Sequence, residues 1–507
     1  MLGQSHPVSR RRFLGLGIIG GVSTVVLAAC SQSAPASPSS TPAAQAQPTT
    51  AASTSAATPT SSTSAAPTAA SSAAPTAQAA PASTNLGGQQ ATMWGLKYDP
   101  HVQRYGMLAD AFKKNTGAVL NVQPQPDILN TGKFTAAIAA GTAPDIACIM
   151  GKVLLPIYLR KALVNVSDLF KTWNLDPTQV FAGDSITAYT YGHQVWGVPV
   201  EVNNVGDVVS IPTDDVAKIG AKSPPTNGQD FMASYDDMWS LAKQLQDKLG
   251  TTNGKVTRWG LSSRAWDAQS LFGIIRSQGT NWWDENTQKF NITSDAGVTA
   301  LQLFAETPVN MGIETYLNQT HMDAALAGKV FLARGNMSLP GEAKKVGRHY
   351  ELAMVPPVKG AQSNTNPLFI GEGGWGFVVP TRAKQMDVAT AFLKFMATTE
   401  AQTIWAGIYG GIVSSWKELN NLENSRWATA KDDYVLRGIQ MRAKYIDRTV
   451  YYGEGFGYIA DVEKHVSSVT DGIREKKLTA QQGAQQLQQL LGQQYQQYQA
   501  DLKSLSS

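Results

Sequence analysis

Tryptophans stand beside carboxylates or amides in several loop-like stretches of this chain: Trp266-Asp267, Asn281-Trp282-Trp283-Asp284, and Trp375 close to Glu372. Trp94, in a short apolar run, is a further candidate. A flat aromatic face with hydrogen-bonding groups at its edge suits a ring that is apolar above and below and carries hydroxyls around its rim. Tyr98, Asn203, Gly341-Glu342 and Tyr452 extend the candidate set. Asp145 either closes an Asx turn on the following backbone or reaches a ligand hydroxyl. Trp173, Trp239, Trp405 and Trp427 lie in helical stretches and read as core.

Other chemistries lack their residues. The chain has no H-E-x-x-H, no C-x-x-C and no G-x-S-x-G, and His101, His193, His321, His349 and His465 are scattered. No catalytic set, metal or cofactor is expected, and the chain is read as not an enzyme. The enzymatic alternative is a secreted carbohydrate-active enzyme with a carboxylate pair drawn from Asp267, Asp284, Glu342 and Glu372. Gly371-x-Gly373-x-x-Gly376 matches a dinucleotide fingerprint in letters, but it runs into the strand-like Phe377–Val379 instead of opening a helix. Close backbone approach at a hinge explains it better. Gly15-x-Gly17-x-x-Gly20 falls within a targeting segment.

That segment runs from Ser9 to Cys30. Arg10, Arg11 and Arg12 precede an uncharged body that ends at Leu27-Ala28-Ala29-Cys30. About 15 apolar residues fall short of the ~20 needed to span a bilayer, so residues 1–30 read as a secretory signal. Ser-Arg-Arg-x-Phe-Leu resembles the twin-arginine export motif, and Leu-Ala-Ala-Cys resembles a bacterial lipobox, which implies a lipidated Cys30. Residues 31–90 are nearly all Ala, Ser, Thr, Pro and Gln, with no charge and Leu86 as the one large aliphatic. Such a segment cannot offset the entropy of ordering, so a disordered tether is expected.

The elements that must position the aromatic residues come after the tether. The formal charge of +4 falls to +1 once Arg10, Arg11 and Arg12 are set aside, which argues against nucleic acid as a partner. A body of residues 91–507 is too long for one core, and two lobes are expected. Ala91–Trp94, Ala118–Val122 and Ile146–Met150 read as strands, with helices over 101–115 and 132–140 between them. That alternation predicts an α/β fold with parallel sheets, whose ligands sit beyond the carboxyl ends of the strands. Cys148 has no partner once Cys30 is lipidated, and reads as a small buried hydrophobe.

Ala139-Ala140-Gly141-Thr142-Ala143-Pro144-Asp145-Ile146 is similar to the A-x-G-x-x-P-D signature of family 1 extracellular solute-binding proteins, the maltose-binding-protein-like receptors of ABC sugar importers. Trp196-Gly197-Val198-Pro199, Ser234-Tyr235-Asp236-Asp237-Met238-Trp239, Trp259-Gly260-Leu261, Ala327-Gly328-Lys329 and Gly374-Trp375 through Pro380 follow in the family's order. After Asn203-Asn204 the chain has Val208-Val209-Ser210, which departs from the family pattern. The resemblance implies a two-lobed periplasmic-binding-protein type II fold with hinge crossings. Lobe one is expected at 91–203 and 376–411, and lobe two at 204–375 and 412–507, with a third crossing over 406–415. The glutamine-rich C-terminal helix, with Leu487, Leu490 and Leu491 in one stripe, would dock on lobe two; a coiled-coil surface is the alternative.

By resemblance, this is a lipid-anchored, extracytoplasmic and monomeric receptor on the outer face of the cytoplasmic membrane. It would capture a mono- or oligosaccharide between closing lobes and deliver it to an ABC permease. A sensory receptor without transport is a further alternative. A phosphorylated ligand would need a cation in the cleft, and Arg264 is the nearest candidate; its neighbours suit a neutral sugar better.

Overall fold

The computed structural model describes residues 85–126, 128, 131–201, 204–205, 208–224, 231–264, 266–335, 338–361, 369–371, 373–407, 415–420, 449–453 and 457–506. Residues 1–30 with Cys30, most of the stretch 31–90, Asn203, Glu372 and Trp427 lie outside the described residues. Contacts divide the chain into Met1–Ala79 and a compact unit Ala80–Ser507, and the described residues all belong to the second.

Two larger sheets organise the described residues of this unit. The first has five strands in the order Val119–Gln125, Gln90–Leu96, Ile146–Met150, Trp375–Val378, Val198–Pro199. Its first three strands are parallel, and Trp375–Val378 runs antiparallel against Ile146–Met150. The sequence dictates this lobe clearly. The helix Asp99–Thr116 buries Leu108 and Phe112 on one face and stops at Gly117, whose φ of 79° is easily reached only by glycine. Phe112 packs edge-on against Phe392 of the helix Met386–Met396, at 5.3 Å between ring centroids. Each such ring taken from water is worth about 1.5–3 kcal/mol.

The second sheet has the order Trp259–Ser262, Val330–Arg334, Val208–Pro212, Tyr350–Met354. Trp259–Ser262 and Val330–Arg334 are parallel and the other pairs antiparallel. Ser234 caps the helix Tyr235–Leu249 by accepting from the Asp237 N–H at 3.2 Å, as its residue type and place suggest. The C-terminal helix Ala480–Ser506 docks on this lobe. Leu487 and Leu491 are fully buried, Tyr495 packs on Trp283 at 4.6 Å, and Gln488 accepts from the Ile292 N–H.

A small sheet joins the lobes: Thr449–Tyr451, Phe369–Gly371 and Asn204–Val205, side by side. These are three hinge crossings, and they correct one expectation. The third crossing is Thr449–Tyr451, not 406–415, because Ser415 and Trp416 still belong to lobe one. Ser415 Oγ donates to the Pro199 carbonyl at 2.9 Å, and Trp416 bridges to Phe181. Trp375 likewise starts a first-lobe strand, where the sequence boundary gave it to lobe two. The ordered body also begins before residue 91, since Leu86 is buried and its N–H bonds to the Thr116 carbonyl.

The glycine fingerprint at 371–376 serves close packing. A Cβ on Gly373, whose φ is 93°, would lie 2.6 Å from the Ala188 Cβ. One on Gly376 would lie 2.5 Å from the Tyr189 ring. Cys148 is fully buried in its strand, and burial raises its thiol pKa, so it is packing and not chemistry.

Candidate functional site

Both sheets send their parallel strands toward loops that carry polar and aromatic residues. In lobe one, Gln90–Leu96 leads to Tyr98, and Ile146–Met150 leads to Gly151-Lys152. In lobe two, Trp259–Ser262 leads to Arg264 and Trp266, and Val330–Arg334 leads to the helix Leu339–Lys345 with Gly341 and Glu342. These strand ends are where open α/β sheets hold ligands.

Two contacts bring the two sets together. Tyr98, Asp99, Pro100, Val102 and Gln103 of lobe one share a cleft of about 510 Å³ with Glu342 and Lys345 of lobe two. That volume falls within the ~300–1,000 Å³ usual for small-molecule sites. Tyr98 is 37% exposed and lines the cleft. Apart from that cleft, Lys152 of lobe one pairs with Glu463 of lobe two at 2.9 Å. Glu463 also accepts from the Tyr452 hydroxyl at 2.7 Å and from Gln269 Nε2 at 3.1 Å.

Behind Tyr98 runs a chain of rings. His101 lies 5.8 Å from Tyr98, 4.7 Å from Trp375 and 5.2 Å from Trp405. Trp375 is 6% exposed, so it backs the cleft wall through His101 instead of offering an open face. Beneath this chain, Glu201 accepts from Trp405 Nε1 at 3.0 Å and lies 3.7 Å from Arg104. Burial pushes the Glu201 carboxyl up to about 7, against the opposing pull of Arg104 and the indole N–H.

Other candidates are engaged by partners within the protein. Asp145 does not close an Asx turn on the following backbone. One oxygen accepts from Thr92 N and Oγ1, at 2.7 and 2.9 Å, and the other from the Lys384 and Gln385 N–H groups, at 2.7 and 2.9 Å. Asp267 is buried and bound to Arg474 at 2.8 Å and to Thr470. Trp282 is buried, stacked on Phe272 at 5.1 Å, and forms core. Trp94 is half-buried, with its Nε1 donating to Gln123 and Lys133 over its face. Tyr452 is fully buried and acts through Glu463. Arg264 is clamped by Asp471, with Nε and Nη2 at 3.0 and 2.9 Å, so the phosphate candidate is already neutralised.

The carboxylates weighed as a catalytic pair are likewise occupied separately where they are described. Asp284 accepts from Asn286 and Thr287 in a turn, and Glu342 pairs with Lys345 at 2.8 Å. Among the described residues no group of His, Cys, Asp and Glu could hold a metal ion, and no helix is long and apolar enough to cross a membrane. A larger cavity of about 740 Å³ lies among Phe170, Tyr191, His193, Tyr451 and Tyr498, and none of the candidate residues lines it. Its Thr187 and Thr190 hydroxyls are turned to their own backbone at 2.8 Å.

Lys152, Glu463 and His321 were not singled out by sequence reading. Lys152 was accessible to it, since it stands two residues past a strand end. Glu463 lies in a helix at the opposite end of the chain, and nothing local marks it.

Two lobes, three hinge strands and a cleft between facing strand ends define a two-lobed binding-protein fold. Residues 107–431 match the family of bacterial extracellular solute-binding proteins, and the chain belongs to it. Its fold is similar to the cyclic alpha-maltosyl-1,6-maltose binding protein of Arthrobacter globiformis, at TM-score 0.63 and 14% identity over 80% of this chain and 98% of that one. It is also similar to the GacH receptor of Streptomyces glaucescens, solved unliganded and with acarbose, at TM-score 0.62 and 16% identity over 80% and 98%. An ABC transporter solute-binding protein of Thermotoga lettingae, bound with alpha-D-tagatose, aligns at TM-score 0.61 and 15% identity over 80% and 100%. No curated protein matches the sequence.

Proposed function

We propose that this chain is the receptor of an ABC importer, held outside the cytoplasmic membrane by a lipid on Cys30, and that it captures a carbohydrate between its lobes for delivery to a permease. The observation that carries the reading is the cleft that Tyr98 and Glu342 line from opposite lobes. Tyr98 offers a platform for the C–H face of a sugar, and Glu342 accepts hydrogen bonds from its hydroxyls. A ligand touching both lobes favours the closed state by its differential affinity for that state alone. The neighbours bound to saccharides support the ligand class, and the pairing of Arg264 with Asp471 supports a neutral sugar over a phosphate. The signal-like stretch ending at Leu27-Ala28-Ala29-Cys30 supports the address.

Calorimetric titration of Ala80–Ser507 with linear and cyclic oligosaccharides tests this reading. Tyr98→Ala and Glu342→Ala should each weaken binding at least about tenfold, a loss of ~1.4 kcal/mol. Asp284→Ala, in its separate turn, should leave binding unchanged. Wild-type affinity in both cleft variants would move the site elsewhere.

A further inference from the structure

His321 opens the helix His321–Leu326 and is 2% exposed. Both of its ring nitrogens are buried, and neither meets a hydrogen-bond partner among the described residues. Folded proteins rarely leave one buried polar atom unpaired, and here two occur on one ring. Its neighbour is Trp266, edge to face at 5.2 Å and 62°. Trp266 sits at φ 47° and ψ 49°, the left-handed region that a bulky residue avoids, and it precedes the helix Asp267–Ser277 without a side-chain cap. A strained indole and an unpaired imidazole thus stand together, past the carboxyl end of a parallel strand. Strain that persists at one place in a fold points to a site of function.

Burial holds the imidazole neutral, pushing its pKa down to about 3, with Asp323 pulling the other way. A neutral imidazole has one N–H donor and one lone pair. An alcohol hydroxyl has the complementary pair: it donates to the lone pair or accepts from the N–H. We propose that Trp266 and His321 form a hydroxyl-reading subsite of lobe two, in which the ligand's ring edge packs on the indole and, as the indole shifts, one hydroxyl bonds to His321. This subsite rests on the carbohydrate reading above and assigns a specificity-determining residue to it. A deoxygenated ligand would leave the imidazole unpaired, and sites built to bond a hydroxyl reject such analogues strongly.

The test compares wild type, His321→Leu and His321→Gln of Ala80–Ser507, by calorimetry against the same oligosaccharides and by melting without ligand. His321→Leu should bind at least about tenfold more weakly, while His321→Gln, which keeps a donor and an acceptor, should stay within about threefold of wild type. The unliganded Leu variant should melt no lower than wild type, because no internal hydrogen bond is lost. Equal binding by wild type and His321→Leu would overturn the subsite. So would a lower melting temperature of His321→Leu that His321→Gln restores, since that would place the nitrogens' partners, including an internal water, inside the protein. If no oligosaccharide binds wild type, the receptor reading fails on its own. The melting comparison then still decides whether the imidazole is unpaired.

Discussion

Arg474→Met should lower the stability of lobe two by about 3–5 kcal/mol, the range found when one partner of a buried ion pair is removed. Arg474 is fully buried, with Asp267 at 2.8 Å, Glu314 at 3.7 Å and Asp471 at 3.2 Å. Ser263 adds to the knot, its N–H and hydroxyl both reaching Glu314 Oε1, at 2.7 and 2.9 Å. Burial raises the Glu314 pKa, and the guanidinium is what holds it back; the same carboxylates raise that of Arg474. Without the guanidinium, the buried carboxylates of Asp267 and Glu314 lose the cation they share. Arg474→Met with Asp267→Asn removes one of those charges and should recover part of the loss. A shift in denaturation midpoint at constant slope would report this, and a change below about 1 kcal/mol would show that the network is not structural. The network also fixes the corner that carries Trp266, since Asp267 is the next residue and Ser263 lies three before it. Ligand affinity should therefore fall together with stability.

The second large effect is expected at Asp145. Its carboxylate joins the central strands of lobe one to the start of the helix Met386–Met396, across a sequence separation of 240 residues. Asp145→Ala leaves the N–H groups of Thr92, Lys384 and Gln385 without their acceptor, at ~1–3 kcal/mol for each that stays buried, so a loss of about 3 kcal/mol is expected. Hydrogen bonds from Thr92, Gln385 and Lys384 together outweigh burial and hold the carboxyl below its ordinary value. The folded-state pKa is thus depressed. The contribution is complete above the unfolded pKa of about 3.9 and is lost as pH falls through the folded value. Wild type and Asp145→Asn should differ most near neutrality and converge in acid. A gap that stayed constant down to strongly acidic pH would show that the charge itself adds nothing.

Asp145 and Asp267 also show where sequence reading stops. Sequence reading places Asp145 in a loop, as found, whereas Asp267 opens the helix Asp267–Ser277; around Asp145 the strand runs and the helical pattern place Gln90–Leu96, Asp99–Thr116 and Ile146–Met150 within a residue or two. The partners of the two carboxylates were not legible, because Lys384 and Arg474 approach from more than two hundred residues away. An acidic side chain in a loop looks the same whether it waits for a ligand or binds the protein's own backbone. Tyr98 stands two residues past a strand end and Glu342 lies in the helix Leu339–Lys345; the sequence offered both as candidates, Glu342 through the family resemblance. The third crossing was misplaced for a local reason. Glycines at 407, 410 and 411 resemble a hinge, whereas Thr449-Val450-Tyr451 carries the β-branched and aromatic residues that a pairing strand favours. His321 gave no sequence signal at all, since only the surrounding structure shows that its nitrogens are unpaired.

The most direct test of the central claim is small-angle scattering of Ala80–Ser507 during titration with maltotriose and with cyclic and linear oligosaccharides. The account predicts that one class of sugar contracts the particle saturably, with the sugar recovered unchanged, and that Tyr98→Ala shifts the midpoint to higher concentration. Sugar binding without contraction, contraction by none of the panel, or turnover of an oligosaccharide would contradict it.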